Sequence, residues 1–432
     1  MLPHQQTIII IMLLTELPKL ISCKKIYNVG KKKISFNSIY TNSKNIKKYS
    51  ILAILENNRF KNEYIKEAIN NGALAIITKK IFKNIPITQY QVEDINLSIS
   101  ILLNKLKSSA PLNSIAITGT NGKTSVAWYL SQLISFNNLN CKTYGTLGYY
   151  KNLKKIKNSN LTTPEYEILQ QCAYTKKKNT YNFVFEASSH SLDQNRLKNF
   201  PIDIAAITNI TQDHLDYHKT FISYRNAKLK LFKQFLKPNG YAILNDRING
   251  ISELKKKITN KNKILTYGLK KSDIYLFKKE NLIKLKIFNS TYLIKLQQHS
   301  SLDLENISCA IACCISLKIK EKNIIKVLKN ITTPPGRMQK IKNKNYNVYV
   351  DYAHTPDALK QVLTGYTIDN IKPDLVFGCG GNRDEGKRSK MGRIANKFAN
   401  NVYVTDDNPR NENPSIIRKT IIKNCKKAIE IS

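Results

Sequence analysis

The chain has 432 residues, enough for roughly two to four domains, and its 42% of hydrophobic residues excludes a disordered polymer. A formal charge of +40 reads either as the footprint of a nucleic-acid or anionic-membrane binder or as compositional drift. The lysine runs 31–33, 176–178 and 255–257 are scattered and lack the Arg and aromatic partners of a binding stripe, so drift is preferred and neither nucleic acid nor membrane is expected as a partner.

In chain order, the apolar run Thr7–Leu14 is too short to span a bilayer, and it lacks the basic flank and cleavage site of a signal peptide. Met12 offers a second start, which would make residues 1–11 an upstream extension. Three blocks follow, without an internal repeat. The first, residues 1–95, carries a helix at Glu63–Asn71 and then the apolar run Ala73–Thr78, a buried strand. The second, residues 96–333, is introduced by a helix at Val92–Lys107 and a break at Pro111. Its strands are expected at Ser114–Thr118, Asn182–Glu186, Ile204–Thr208 and, after a Pro238-Asn239-Gly240 turn, Tyr241–Asn245. Short apolar runs between helical stretches argue for a parallel sheet covered on both faces. Asp273–Leu296 alternates like a β-hairpin turning at Asn289-Ser290.

Cys309, Cys313 and Cys314 sit in an apolar helical pattern and read as core. Cys23, Cys141, Cys172, Cys379 and Cys425 are scattered, with neither zinc spacing nor a disulfide framework, which fits a reducing cytoplasm. The third block, residues 334–432, follows Pro334-Pro335-Gly336. It has strands at Tyr346–Val350, Leu375–Gly378 and Val402–Thr405 and a helix after Pro356, again a doubly wound pattern. Its last strands are expected beyond Ser432.

The sharpest local signal is Gly119-Thr120-Asn121-Gly122-Lys123-Thr124, between an expected strand and the helical run Ser125–Ile134. In that setting glycines let backbone amides close on phosphate oxygens and the helix start adds a positive field. Lys123 would reach the β and γ phosphates and the Thr124 hydroxyl would ligate Mg2+. Glu186 ends a second strand and runs into Ser188-Ser189-His190, where open parallel sheets bind ligands. Asp213-His214-Leu215-Asp216-Tyr217-His218 follows a third strand and could serve a metal. Lys228, alone, reads as one more lysine on an amphipathic helix. In block three, four glycines between Gly378 and Gly386 accompany Arg383, Lys387 and Arg388, a loop suited to carboxylates or phosphates.

Taken together, GTNGKT, ExSSHxLxQxR, TNxxxDHLDYH, AK, GRM, DYAHTPDAL, GCGGxRDxGKR and DNPR, in this order over roughly residues 112–415, resemble the Mur ligases. The resemblance implies an α/β fold of three domains: a UDP-binding domain (1–95), a central phosphate-loop ATP-binding domain with a parallel sheet (96–333) and an incomplete Rossmann-like amino-acid domain (334–432). It is similar to the branch that adds meso-diaminopimelate to the D-Glu of UDP-N-acetylmuramoyl-L-Ala-D-Glu with ATP, through an acyl phosphate.

What the resemblance implies for residues is as follows. Gly119, Thr120, Asn121, Gly122, Lys123, Thr124 and Ser125, with Asn306, Arg337 and Asp351, bind ATP. Thr124, Glu186, His214 and a Lys228 carbamylated by CO2 hold Mg2+, so that Lys123, Lys228, His214 and Glu186 form the catalytic set. Ser43, Thr162, Thr163, Ser188, Gln194 and Arg196 contact the UDP-muramoyl dipeptide. Arg383, Asp407, Asn408, Pro409 and Arg410 hold diaminopimelate. The implied protein is a cytoplasmic monomer acting on small molecules. The alternatives are a lysine-adding or folylpolyglutamate-type ligase and a non-catalytic relative. Departures from the family pattern are Asn42-Ser43-Lys44 for Asp-Ser-Arg, the stretch Ser300–Asn306 in place of a Gly-x-Phe-Asn pattern of which Asn306 remains, and a final Gly-His-Glu segment that does not occur before Ser432.

Overall fold

The computed structural model describes residues 12–28, 34–55, 61–106, 110–174, 181–258, 260–279, 282–296, 301–341, 346–365 and 371–431. Most of the apolar N-terminal run and the lysine runs 31–33 and 176–178 lie outside the described residues. The chain divides into two compact units, one of Met1–Ser114, Asn140–Phe183 and Gln194–Ile202, the other of Ile115–Leu139, Val184–Asp193 and Asp203–Ser432.

In the first unit a five-stranded sheet runs in the order Lys25–Tyr27, Thr88–Gln91, Ala73–Thr78, Ser50–Ala53, Ser38–Tyr40. Its pairs are parallel except at the Lys25–Tyr27 edge. The helix Glu63–Asn70 buries Ile65 and Ala68, three residues apart on one face, against Leu52, Ile54 and Ile76 of the sheet. The same unit holds an antiparallel meander, Asn140–Gly145, Gly148–Lys151 and Lys154–Lys157, and the helix Tyr166–Ala173.

Lys142 of that meander is only 6% exposed. Its amine donates to the carbonyls of Cys172, Ala173 and Tyr174 at 3.1, 3.4 and 3.3 Å. A helix end leaves its last carbonyls without intrahelical partners and negatively polarised, so a buried cation there is held by geometry and field together. Lys142→Met should lower the denaturant midpoint of the protein by an amount equivalent to about 2 kcal/mol. An unchanged midpoint would assign the lysine no such role.

The second unit contains the phosphate-loop sheet. Strand β1 (Asn113–Thr118) leads through residues 119–122 into helix α1 (Lys123–Phe136). Strand β2 (Tyr181–Glu186) and strand β3 (Ile202–Ile207) follow, then helix α2 (Phe221–Lys230), β4 (Leu236–Asn245) and β5 (Lys263–Tyr267). Three further strands, β6 (Ile274–Lys279), β7 (Leu282–Ile287) and β8 (Ser290–Ile294), precede helix α3 (Ser301–Ser316). The strand order is β2-β1-β3-β4-β5-β6-β7-β8. β1 pairs parallel with β3, and β4 with β5. From β1 the chain goes to β2 on one side and then to β3 on the other, which opens a crevice beyond the carboxyl end of β1. Helices α1 and α3 pack on one another, and Cys309, Cys313 and Cys314 of α3 are wholly buried there, as expected.

Two expectations are corrected. The segment after Asp273 is a three-stranded meander rather than one hairpin, because β6, β7 and β8 pair antiparallel in succession and Asn289 marks only the second turn. β4 also begins before Pro238: the chain is already extended from Leu236, with Asn239 alone in the left-handed region at φ 64°, and the ladder with β5 starts at Tyr241.

The last part of this unit carries a parallel sheet of β9 (Leu375–Phe377), β10 (Val402–Val404) and β11 (Ala428–Glu430) with helices α4 (Pro356–Gly365), α5 (Gly386–Phe398) and α6 (Pro414–Ile422). Leu359, Leu363, Met391, Ala395, Val402, Val404, Ile417 and Ile421 make its core. The expected strand near Val350 is Val348–Val350, but it pairs antiparallel with Gln339–Ile341 and stands outside the parallel sheet. The sequence reading missed β11, which is short and half exposed.

Candidate active site

Everything at the centre of the second unit is arranged on the loop after β1. Gly119 has φ +146°, and a Cβ there would overlap the Thr208 hydroxyl. That hydroxyl lies 2.5 Å from the Asn121 carbonyl, to which it donates. The residues after β3 brace the loop further: the Thr120 amide donates to the Asn209 carbonyl at 2.9 Å, and the Asn121 amide to Asn209 Oδ1 at 2.9 Å. Gly122, at φ +83°, starts α1, and a Cβ on it would meet Asn306 Oδ1 at 2.5 Å. Asn306 of α3 therefore sits directly against the loop. Thr355 is fully buried and receives a bond from Asn121 Nδ2 at 3.1 Å.

Two lysine amines converge on one carbonyl. Lys123 Nζ donates to Gly119 O at 2.8 Å and to Thr120 O at 2.7 Å, and Lys228 Nζ donates to Gly119 O at 2.8 Å. Lys228 is 1% exposed, and its amine stands 4.3 Å from the Tyr224 ring centre. Burial first, and then the neighbouring Lys123, push its pKa far below the usual amine range against the pull of Asp213. Burial likewise lowers Lys123, while Glu186 and Asp213 oppose the fall. The anionic side is Glu186, 1% exposed, whose Oε2 accepts from the Thr124 hydroxyl at 3.0 Å. A hydroxyl and a carboxylate held together beside a phosphate-type loop are hard oxygen donors of the kind Mg2+ takes. Among the described residues no three His, Cys, Asp or Glu side chains gather as a metal cluster. The Thr124 hydroxyl and the Glu186 carboxylate are the oxygen pair that could hold a cation beside this loop.

Asp213 and His214 flank this group. Asp213 Oδ2 lies 3.4 Å from His214 Nε2 and 3.8 Å from His354 Nε2. Asp213 is 4% exposed; burial alone would raise its pKa, but the histidines and Lys387 hold it well below the carboxylate range. His214 has φ 54° and caps the short helix Leu215–His218. Burial lowers its imidazole to about 3, with Asp213 opposing and His190, Lys123 and Lys228 adding to the fall. Its ring stands edge-on to His190 at 4.9 Å, and Tyr224 donates or accepts at Thr120 Oγ1 at 2.9 Å. A neutral imidazole keeps a lone pair for a metal at neutral pH.

Arg337 stacks on Tyr352 at 4.1 Å and reaches Thr124 Oγ1 at 3.5 Å. Asp351 accepts from the amides of Met338 and Ala353, both at 2.8 Å. Asp213 was expected only as part of a possible metal motif, and His354, Thr355 and Tyr224 were given no role. Asp213, His354 and Thr355 stood inside quoted motifs, but the pairing of Asp213 with His354, 141 positions apart in sequence, has no local signal.

The glycine-rich loop and the DNPR loop meet at the end of the parallel sheet β9-β10-β11. A Cβ on Gly381 would overlap the Pro409 carbonyl, and the Gly381 amide donates to Asn408 O at 3.0 Å. Arg410, at φ 53°, donates to Gly381 O at 2.7 Å. Arg383, Asp407, Asn408 and Arg410 are exposed, whereas Arg388 is buried on Glu412 at 2.8 Å. Gln212 joins this region to the Asp213 loop, accepting from Lys390 at 2.5 Å and donating to Asp384 at 3.4 Å.

In the first unit Ser43 is 6% exposed and donates to Glu67 at 2.5 Å. Thr162 and Thr146 hydroxyls are 3.3 Å apart, Arg196 donates to Thr163 O at 3.3 Å, and Arg196 Nε reaches Gln194 Oε1 at 2.8 Å. Ser188 belongs to the second unit, where its hydroxyl accepts from the Ser191 amide at 3.2 Å.

A phosphate-type loop, a hydroxyl–carboxylate pair and buried lysines on this fold define an ATP-using ligase type of site, and comparison supports that class. Residues 117–314 match the Mur ligase middle domain, and residues 336–432 match the Mur ligase, glutamate ligase domain. The chain belongs to the Mur ligase family. The UDP-N-acetylmuramoyl-L-alanyl-D-glutamate--2,6-diaminopimelate ligase of Rickettsia montanensis is 39% identical over 402 residues, which cover 90% of this chain and 83% of that protein. The ligase of the same name from Wigglesworthia glossinidia brevipalpis is 35% identical over 427 residues, 91% of this chain and 84% of that one. A solved structure of a ligase with this name is 29% identical with a TM-score of 0.69, covering 96% of this chain and 88% of its own. The MurF ligase of Thermotoga maritima in complex with ADP shares the fold at 22% identity and a TM-score of 0.67, over 91% of this chain and 88% of that one.

Two outcomes test the geometry. Gly119→Ala should destabilise the protein by about 1–3 kcal/mol and abolish nucleotide binding in a calorimetric titration, since the new methyl must displace Thr208. For His214 the ordinary imidazole value is 6.5 and the folded value about 3, so the unfolded chain takes the proton first as pH falls. Its contribution is complete above 6.5 and is lost as pH falls towards 3. Asp213, ordinarily 3.8 and lowered here, contributes a loss of the same sign only at more acid pH. Urea midpoints measured between about pH 7 and pH 4 should fall less steeply in His214→Gln than in the parent. Equal slopes would sink the assignment of a buried neutral imidazole.

Proposed function

We propose that the chain adds meso-diaminopimelate to the D-Glu side chain of UDP-N-acetylmuramoyl-L-Ala-D-Glu, with ATP as the phosphoryl donor. The observation that carries this is the convergence of Lys123, Lys228, Thr124 and Glu186 on the loop after β1. The relatives' names supply the substrates. In this reading the three parts are residues 1–95 for the UDP end, 96–333 for ATP and 334–432 for the amino acid. The eight cysteines form no disulfide, which supports a reducing cytoplasm.

Substrate carboxylate and ATP phosphates repel one another, so the site must supply positive charge. Lys123 exchanges its two loop carbonyls for β and γ phosphate oxygens, and an arriving anion restores the proton affinity that burial has lowered. Asn121, the amides of residues 119–125, Asn306, Arg337 and Asp351 orient the nucleotide. Mg2+, held by Thr124, Glu186, His214 and carbamylated Lys228, would neutralise phosphate charge.

Lys228 is suited to carbamylation because its buried amine is easily neutral. The neutral amine adds to CO2, forming the N–C bond and releasing a proton, so that a neutral side chain becomes an anion. The D-Glu carboxylate then attacks the γ phosphorus, ADP leaves, the diaminopimelate amine attacks the acyl phosphate carbon, and phosphate departs. Thr162, Thr163, Ser188, Gln194, Arg196 and Ser43 hold the UDP-muramoyl dipeptide. Arg383 and Arg410, with Asp407, Asn408 and Pro409, orient diaminopimelate by its carboxylates, which guanidinium forks bind in pairs. A lysine substrate lacks the distal carboxylate, so the Arg-bearing loop favours diaminopimelate over the lysine-adding alternative.

Phosphate release should require the UDP-muramoyl dipeptide and rise with meso-diaminopimelate but not with L-lysine, yielding a tripeptide product by mass. Lys123→Ala should abolish it, and Arg410→Ala should mainly raise the diaminopimelate requirement, by about tenfold or more. ATP binding without turnover on any amino acid would instead favour a non-catalytic relative.

A further inference from the structure

The first unit contains an acid that the proposed mechanism does not use. Glu167 stands in the first turn of the helix Tyr166–Ala173 and is 0% exposed. Among the described residues no lysine, arginine or histidine forms an ion pair with it. Its carboxylate is bound by one residue far away in sequence. The Thr41 amide donates to Oε1 at 2.9 Å, and the Thr41 hydroxyl lies 2.8 Å from each carboxylate oxygen. Burial pushes its pKa up to about 7, against the lowering effect of the Thr41 amide and hydroxyl and with a further push from Glu165. An enclosed acid without a cation is expensive to keep, and a helix start alone does not call for one that reaches across to another segment.

What Glu167 connects is specific. On its own side it lies four residues beyond Thr163, which Arg196 holds through its carbonyl. On the other side Thr41 directly follows the edge strand Ser38–Tyr40 and leads into Asn42-Ser43. That turn is pinned beyond the acid as well, by Asn42 capping the Lys44 amide at 3.0 Å and by Ser43 on Glu67. The segment carrying Ser43 and the loop carrying Thr162 and Thr163 are thus tied by one carboxylate.

We infer that Glu167 is a positioning residue for the UDP-muramoyl dipeptide: through Thr41 it fixes the spacing between the Ser43 turn and the Thr162-Thr163 loop, so that both meet the same ligand. This rests on the proposed assignment of those residues to that substrate. Glu167 touches no reacting atom, and its effect falls on recognition of this substrate alone.

The test is steady-state kinetics on the full chain with each of the three substrates varied in turn, for Glu167→Ala, Glu167→Gln and Thr41→Val. Thermal midpoints are recorded alongside. The expected result is a KM for the UDP-muramoyl dipeptide raised about tenfold in Glu167→Ala and severalfold in Thr41→Val, with kcat and the KM values for ATP and diaminopimelate unchanged. Glu167→Gln keeps a carbonyl acceptor and should return to within about twofold of the parent. Thr41→Val removes only the hydroxyl and keeps the test readable where Glu167→Ala does not fold. A lowered thermal midpoint with an unmoved KM for the UDP-muramoyl dipeptide would make Glu167 merely structural and overturn the inference, leaving the proposed function in place. A parent protein that neither binds nor turns over the UDP-muramoyl dipeptide would overturn both.

Discussion

The Gly119 carbonyl accepts from two lysine amines at once, and most of the site follows from that crowding. Two like charges enclosed within reach of one oxygen repel each other, and the nearby Glu186 and Asp213 relieve only part of this. The arrangement is tolerable because burial makes each amine easy to neutralise. It also makes the pocket a sink for anionic groups, which would replace the carbonyl and restore the charge. The loop itself can hold such a position only because the residues after β3 lock it, with Asn209 taking two of its amides and Thr208 lying where a side chain on Gly119 would be. The strand order, which turns about β1, puts β2 and its terminal Glu186 on one side and β3 with Asp213-His214 on the other. Charge, loop and topology are therefore one constraint seen at three scales.

Beside this site the overall charge of +40 says little about where individual lysines act. Most lysines lie on solvated faces, where screening leaves them weak. The informative ones are enclosed. Lys142 caps a helix end, Lys228 shares the Gly119 carbonyl, and Lys387 contributes to the field that holds Asp213 ionised. A lysine's burial, unlike its presence, cannot be read from composition, so Lys228 looked ordinary on its helix until its surroundings were known.

Much of the fold was legible where local pattern and tertiary environment agree. Ala73–Ile77 is apolar because both faces of that strand are largely covered, and the strand Ala73–Thr78 occupies the expected span. The glycine loop after β1 announced itself because the backbone conformations it needs are nearly reserved to glycine. What escaped was set by distant partners. The meander β6-β7-β8 alternates like a hairpin, and only pairing reveals that it turns twice. β11 is three residues long and draws its order from its parallel partner and from Arg418, which grips Glu430 at 2.7 Å. Glu167 is the clearest case at the level of sites: nothing near residue 167 tells that its partner is Thr41.

Arg418 also separates two acids that the sequence presents as equivalents. Its guanidinium takes Glu430 with one nitrogen and Asp406 with another, so Asp406 is committed to holding the end of β10 against β11. Asp407 is left on the exposed loop beside Arg410, whose guanidinium is anchored on the Gly381 carbonyl. That anchorage needs the two loops in direct backbone contact, which the missing Cβ of Gly381 permits. An arginine held by a carbonyl keeps its charge unneutralised and still has donors to offer, in contrast to Arg388, which is spent on Glu412. Among the described residues Arg410 thus differs from Arg388 and Arg418 in forming no ion pair with a carboxylate.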